Sequence, residues 1–140
     1  MLEPKKLRRR KHHRQRSHFH GNATSGHMLS FGTIGLKAET GGEITARQIE
    51  AARKAMTHAV HRGGKIWIRI FPHTPVSRKA AEVPMGAGKG SLEYFSVVVR
   101  RGTMLFEMAG LPDALAREAL RLAGHKLPVR TRIVHPIGHS

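Results

Sequence analysis

The chain predicts an α+β fold, with two helices packed on a mixed, largely antiparallel sheet, a basic N-terminal extension and a long Gly-rich loop. Three observations carry this expectation. Short apolar runs bounded by Gly and Pro, as in Ile66 to Phe71, and the alternating run Val129 to Val134 have the length and pattern of strands. Two segments that begin at Thr45 and Pro112 repeat apolar residues at spacings of three and four, the period of an amphipathic helix. Residues 1–20 hold eight Lys or Arg against one acid, so repulsion between like charges keeps them out of any core.

With 140 residues, 39% of them hydrophobic, the chain has material for one domain and an appendage. The expected division is a basic extension and linker over 1–26, a globular α+β domain over 27–134 and a C-terminal tail over 135–140. In the extension, Lys5, Lys6, Arg8, Arg9, Arg10, Lys11, Arg14 and Arg16 stand among His12, His13, His18 and His20. Gly21 to Gly26 has the small polar composition of a linker. No apolar segment of signal-peptide type opens the chain, and an Arg-rich organellar presequence is the alternative to an RNA-binding tail.

Met28 to Phe31 and Ile34 to Ala38 read as short strands broken at Gly32-Thr33, with Gly41-Gly42 closing the unit. Thr45-Ala46-Arg47-Gln48 has the spacing of a capping box, in which the hydroxyl and the amide satisfy each other's backbone donors. The helix behind it places Ile49, Ala52, Met56, Ala59 and Val60 on one stripe, and Gly63 is the expected left-handed cap. In the strand that follows, Ile66, Ile68 and Ile70 share one face. Trp67, Arg69 and Phe71 share the other, where the aromatic rings serve either second-face packing or base stacking.

Pro72 to Gly90 reads as a long irregular loop rich in Pro and Gly, and loops of this length inside compact domains tend to carry function. Leu92 to Val99 and Thr103 to Met108, joined at Arg101-Gly102, suggest an antiparallel hairpin. Pro112-Asp113 opens the second helix, with Leu115, Ala119 and Leu122 as its stripe and Asp113 spaced to pair with Arg117. Val129 to Val134 ends the domain with Arg130 and Arg132 on one face, and His135 to Ser140 reads as a frayed end.

The formal net charge of +16, from 25 Lys and Arg against 9 Asp and Glu, points to a polyanionic partner, with nucleic acid ahead of an anionic membrane surface. No apolar run nears the ~20 residues of a membrane-spanning helix. The absence of Cys excludes disulfides, thiol catalysis and thiolate metal sites.

The tail histidines lack a carboxylate to orient them and are surrounded by cations, so no metal site is expected. Catalytic constellations are missing too. The acids are scattered, Glu107 and Glu118 read as solvated positions, and no Ser stands in a nucleophile elbow. Gly88-Lys89 fails as a phosphate-binding nucleotide loop because Val83 and Gly90 occupy the places that need Gly and Ser or Thr. An enzyme is therefore not expected, nor a cofactor. Cations spread over tail, helix and loop suit a structured RNA better than a single groove-reading helix.

Several stretches together closely resemble one family. These are Met1-Leu2-Glu3-Pro4-Lys5-Lys6, Ser30-Phe31-Gly32, Gly35-Leu36-Lys37-Ala38, Thr45 to Arg53, Gly63 to Pro72, Met85-Gly86 with Gly88-Lys89-Gly90, and His125-Lys126-Leu127-Pro128. They run through almost the whole chain, in order, and are similar to the universal L-sixteen/L-ten-e family of large-subunit ribosomal proteins. The resemblance implies a non-enzymatic, cytoplasmic constituent of the large ribosomal subunit that binds large-subunit rRNA and helps to form the aminoacyl-tRNA site. The partners it implies are that rRNA, aminoacyl-site tRNA with peptidyl-site tRNA as a further candidate, and neighbouring ribosomal proteins, with no membrane. A free-standing RNA-binding or ribosome-assembly factor of the same fold is the alternative.

Carried onto this chain, the expected rRNA-binding residues are the eight tail cations named above together with Arg47, Arg53, Lys54, Arg62, Lys65 and Arg69. The loop expected near rRNA and tRNA comprises Arg78, Lys79, Met85, Gly86, Gly88, Lys89 and Gly90. At the loop tip Pro84 and Ala87 replace the Arg and Lys usual in the family, which leaves it with less charge. The likeness that begins at Met1 argues against a cleaved presequence.

Overall fold

Thr45 decides where the first helix begins. Its hydroxyl oxygen accepts from the Gln48 amide N–H at 3.2 Å, and the Gln48 side-chain oxygen accepts from the Thr45 N–H at 2.9 Å, which completes the expected capping box. The computed structural model describes residues 21–23, 26–61, 63–78 and 91–136, and the helix from this cap, α1, spans Ala46–Val60. It buries Ile49, Ala52, Met56 and Val60, the stripe expected from the spacing. Each large apolar side chain so buried contributes about 1.5–3 kcal/mol. The helix ends at His61, whose left-handed backbone (φ 48°, ψ 48°) takes the role expected of Gly63.

The α+β architecture has two sheets. One carries β1 (Ile34–Ala38), β3 (Lys65–Ile68), β6 (Met104–Ala109) and β7 (Thr131–Val134) in the order β3-β6-β1-β7. The other carries β2 (Gly42–Thr45), β4 (Thr74–Arg78) and β5 (Ser91–Val99) in the order β2-β5-β4. All pairings between these strands are antiparallel.

The expected hairpin between Leu92 to Val99 and Thr103 to Met108 is therefore not formed. The turn itself exists, since the Thr103 N–H donates to the Arg100 carbonyl at 3.1 Å. The chain uses it to cross from one sheet to the other. Similarly, Pro72 to Gly90 is not irregular throughout, because Thr74–Arg78 pairs with β5. Met28 to Phe31, expected as a strand, has no ladder partner among the described residues and forms a loop over the four-stranded sheet.

The second helix, α2 (Asp113–Gly124), buries Ala116, Ala119, Leu120 and Ala123. Leu115 and Leu122, expected in its stripe, lie at the margin and are partly exposed. The two helices pack on each other, α1 also against β2 and β5 of the three-stranded sheet and α2 against β1, β6 and β7 on one face of the four-stranded one. That face presents Ile34, Leu36, Phe106 and Met108 to the core, with Ile66, Ile68 and Ile133 packed against them.

Because side chains alternate across a strand, the other face receives Gly35, Glu107 and Trp67, which are mutual neighbours in register. Gly35 is required there. A Cβ on it would stand 2.6 Å from a Leu29 methyl and 2.7 Å from the Met104 sulfur, so its absence makes room for the loop that covers this face.

Candidate nucleic-acid interface

The outer side of α1 follows from its inner side. With Ile49, Ala52, Met56 and Val60 turned inward, Arg47, Lys54, His58 and His61 are all exposed. Arg47 and Lys54 are seven residues apart, close to two full turns, and so project from the same side. Arg47 lies in the first turn, which contains no acid, although the positive end of the helix dipole there favours an anion. An outside polyanion satisfies both.

Arg53 is held differently. Its guanidinium donates to the Glu50 carboxylate one turn back. The hydrogen bond from Arg53 is the main reason that the Glu50 carboxyl titrates below its ordinary value.

Arg69 organises the most tightly built polar site. Its guanidinium donates to the Glu107 carboxylate and, at 3.0 Å, to the Met28 carbonyl. The second carboxylate oxygen accepts three successive backbone N–H groups, from Ser30 at 3.0 Å, Phe31 at 2.9 Å and Gly32 at 2.8 Å. Glu107 is fully buried, which corrects its reading as a solvated position. Burial raises its pKa, but the donors from Gly32, Phe31, Arg69 and Ser30 outweigh this and hold it below the ordinary value.

Gly32 fits the arrangement because a Cβ there would meet the Met108 carbonyl oxygen at 2.6 Å. The loop so anchored lifts Phe31 over Trp67, with ring centroids 6.0 Å apart and planes 20° from parallel. The Arg69 guanidinium carbon lies 5.4 Å from the Phe31 ring centre. Phe31 stays 59% exposed. Trp67 thus has packing on its outer face as well as a position at the surface.

Of the residues expected to bind rRNA, Arg47, Arg53, Lys54, Lys65 and Arg69 lie in the described part, and the first four share α1 and the start of β3. Arg78 closes β4. Lys5, Lys6, Arg8, Arg9, Arg10, Lys11, Arg14, Arg16, Arg62, Lys79, Met85, Gly86, Gly88, Lys89 and Gly90 lie outside the described residues, as does most of the expected C-terminal tail.

Sequence reasoning missed two things here. One is the Glu107 anchor. The other is a second set of cations on β1, β7 and the crossing turn, for which the only signal was the alternation of Arg130 and Arg132. Among the described residues no cluster of three or more His, Asp or Glu side chains has the geometry to hold a metal ion. No described helix is long and apolar enough to cross a membrane.

Comparison with known proteins adds a family to this geometry. The profile of the family described as Ribosomal protein L16p/L10e matches residues 4–134. The Large ribosomal subunit protein uL16 of Macrococcus caseolyticus is 52% identical over 134 residues, covering 96% of this chain and 92% of that protein. Proteins of the same name from Staphylococcus epidermidis and Staphylococcus aureus are 53% identical over 134 residues, with the same coverage.

Proposed function

We propose that this chain, which belongs to the ribosomal protein L16p/L10e family and is a structural protein of the large ribosomal subunit, binds large-subunit rRNA and helps to shape the aminoacyl-tRNA site. The observation that carries the rRNA reading is the exposed Arg47 and Lys54 pair on α1, in a chain whose net charge is +16. Such cations bind phosphate and release its counterions, which gives affinity, while the shape of the fold gives placement.

In this reading Lys5, Lys6, Arg8, Arg9, Arg10, Lys11, Arg14 and Arg16 anchor the extension in rRNA. Arg47, Arg53, Lys54, Arg62 and Lys65 form the contact surface of the body. Arg69 holds the 28–32 loop through Glu107 and acts on RNA by positioning that loop. The stretch from Arg78 to Gly90 reaches toward tRNA, with Lys79 and Lys89 as its phosphate ligands and Gly86, Gly88 and Gly90 permitting close backbone approach. The protein works within the cytoplasmic ribosome, beside other large-subunit proteins and without catalytic chemistry of its own.

The test is equilibrium binding of the full-length protein to a large-subunit rRNA transcript over a range of KCl. A steep fall of log affinity against log salt is expected. Changing all eight tail cations to Gln lowers that slope by up to about 7, at roughly 0.9 per phosphate contact. Binding that is insensitive to salt would refute the electrostatic reading, and an unchanged slope in the Gln variant would make the tail a bystander.

A further inference from the structure

We infer that the edge of the four-stranded sheet formed by β1 and β7, with the crossing turn, is a second RNA site, a groove that grips the sugar–phosphate backbone. The inference rests on the rRNA reading above and assigns it a surface outside the tail, the first helix and the Gly-rich loop. Its starting point is a pairing that a free protein has reason to avoid. Lys37 and Arg132 are directly opposed across the β1–β7 ladder. Like charges in that position, with Cβ atoms about 5 Å apart, destabilise a sheet.

Two more cations converge on the pair. Arg130 is two residues upstream of Arg132 and therefore on the same face. Its backbone is fixed on both sides, since its N–H donates to the Thr40 hydroxyl at 3.1 Å and its carbonyl accepts from the Glu39 N–H at 2.7 Å. Arg101 comes from the crossing turn. That turn is tied to β1 by the Gly102 N–H, which donates to the Ala38 carbonyl at 2.7 Å, and by the Thr103 carbonyl, which accepts from the Ala38 N–H at 2.9 Å.

The four side chains line one open cavity of about 570 Å³, in which Glu39 is the only acid. His27 stands in the same cavity with its Nδ1 buried and unpartnered among the described residues. A neighbouring cavity of about 600 Å³ shares Lys37, Arg132 and His27 but is lined also by Met28, Leu29, Met104, Val134 and Pro136, so the cation-lined groove ends at the pair.

Comparison with the helices shows that these cations are set aside for something. On α1 and α2, Arg53, Arg117 and Arg121 have neutralising acids one turn away, in Glu50, Asp113 and Glu118, with Arg47 the exception among the described helix arginines. Lys37, Arg101, Arg130 and Arg132 take part in no ion pair among the described residues. The occupant must supply negative charge over a length greater than one phosphate. It must also do so without apolar anchors, since the only apolar side chains in the 570 Å³ cavity are those of alanines, whereas protein interfaces concentrate their affinity in buried aromatic and aliphatic anchors. An RNA backbone fits both demands, and guanidinium groups match its phosphates two hydrogen bonds at a time.

The experiment compares three full-length proteins on a large-subunit rRNA transcript over a KCl series: the wild type, K37Q/R101Q/R130Q/R132Q, and the charge-keeping K37R/R101K/R130K/R132K. The Gln variant is expected to show a slope lower by about 3, so that from about 50 to 200 mM KCl the wild type loses roughly 60-fold more affinity than the variant does. The charge-keeping variant is expected to retain the wild-type slope. In addition, K37Q/R132Q is expected to melt at a higher temperature than the wild type in low salt, with the difference vanishing in high salt.

A steep wild-type slope that the Gln variant shares would overturn this inference and leave the rRNA reading standing. A flat wild-type slope would remove the rRNA reading itself. Equal loss of slope in both quadruple variants would mean that the effect is structural, which also defeats the proposal. Retention of the rRNA slope with selective loss of binding to poly-glutamate would reassign the groove to an acidic protein.

Discussion

Replacing Glu107 with Gln changes one oxygen to an NH2 group and removes one charge, at a fully buried position in the middle of β6. One carboxylate oxygen accepts the Ser30, Phe31 and Gly32 N–H groups while the other faces Arg69. An amide oxygen can serve only one of these sets. The NH2 group then opposes the donors of the other, and Arg69 or the loop loses its acceptor.

Truncating a buried charged pair costs about 3–5 kcal/mol. At about 4 °C per kcal/mol for a body of this size, the melting temperature falls by roughly 12–20 °C. Urea denaturation followed through Trp67, the single tryptophan, together with calorimetry, measures both quantities. A loss below about 1 kcal/mol would refute the claim that this carboxylate holds the 28–32 loop.

The same residue fixes an acid limb. Its folded pKa lies below the ordinary 4.5, so the unfolded chain takes up its proton first as pH falls. The stability it contributes is complete above about pH 4.5 and is lost as pH drops through the folded value. Glu107→Gln therefore flattens the dependence of stability on pH in this window, while a variant as acid-sensitive as the wild type would contradict the assignment.

Two further substitutions test the parts that position the site. Gly32→Ala forces a Cβ to within 2.6 Å of the Met108 carbonyl oxygen and is expected to cost about 1–3 kcal/mol by overpacking, measured as a shift in the urea midpoint at constant m-value. Thr45→Ala removes the acceptor for the Gln48 N–H and is expected to cost about 1 kcal/mol. Unchanged amide-exchange protection in the first turn of α1 would show that the cap is dispensable.

Local chemistry was legible in the sequence and long-range pairing was not. The capping box at Thr45 and Gln48, the stripe of α1 and the ion pair of Asp113 with Arg117 each depend on residues within four positions of one another, and all are formed. The turn at Arg101-Gly102 was equally readable, with Gly102 at φ 95°. What the strands on either side pair with depends on β1 to β4, tens of residues away, so an unmistakable turn was read as a hairpin. In α2 the expected stripe of Leu115, Ala119 and Leu122 met the buried face only at Ala119, because that face also runs through Ala116, Leu120 and Ala123. Which side of an apolar helix turns inward is set by the elements it packs on, and these are distant in sequence.

Glu107 was hidden for a related reason. A lone carboxylate in an apolar strand looks solvated unless its donors are known, and these are Arg69, 38 residues before it, and the N–H groups of Ser30, Phe31 and Gly32, at least 75 residues before it.

A net charge of +16 does not say which cations are free to meet a partner, and the fold sorts them by the company they keep. Arg53, Arg69, Arg117 and Arg121 have carboxylate partners within the protein, and their charge is largely cancelled at short range. Arg47, Lys54 and Lys65 on one side, and Lys37, Arg101, Arg130 and Arg132 on the other, have no ion-pair partner among the described residues, and their field reaches outward. Because exposed ion pairs contribute only about 0–1 kcal/mol, folding has little need of Arg53, Arg117 and Arg121 as cations, whereas Arg69 is needed by the buried Glu107. The unpaired set works against folding through its mutual repulsion, a load that phosphate relieves. The two unpaired groups belong to different elements, α1 with the start of β3 and the β1–β7 edge. On the reading proposed above, a protein of this size that grips RNA on both surfaces holds RNA segments in a fixed relation to each other. That is the physical content of a structural role in a ribonucleoprotein.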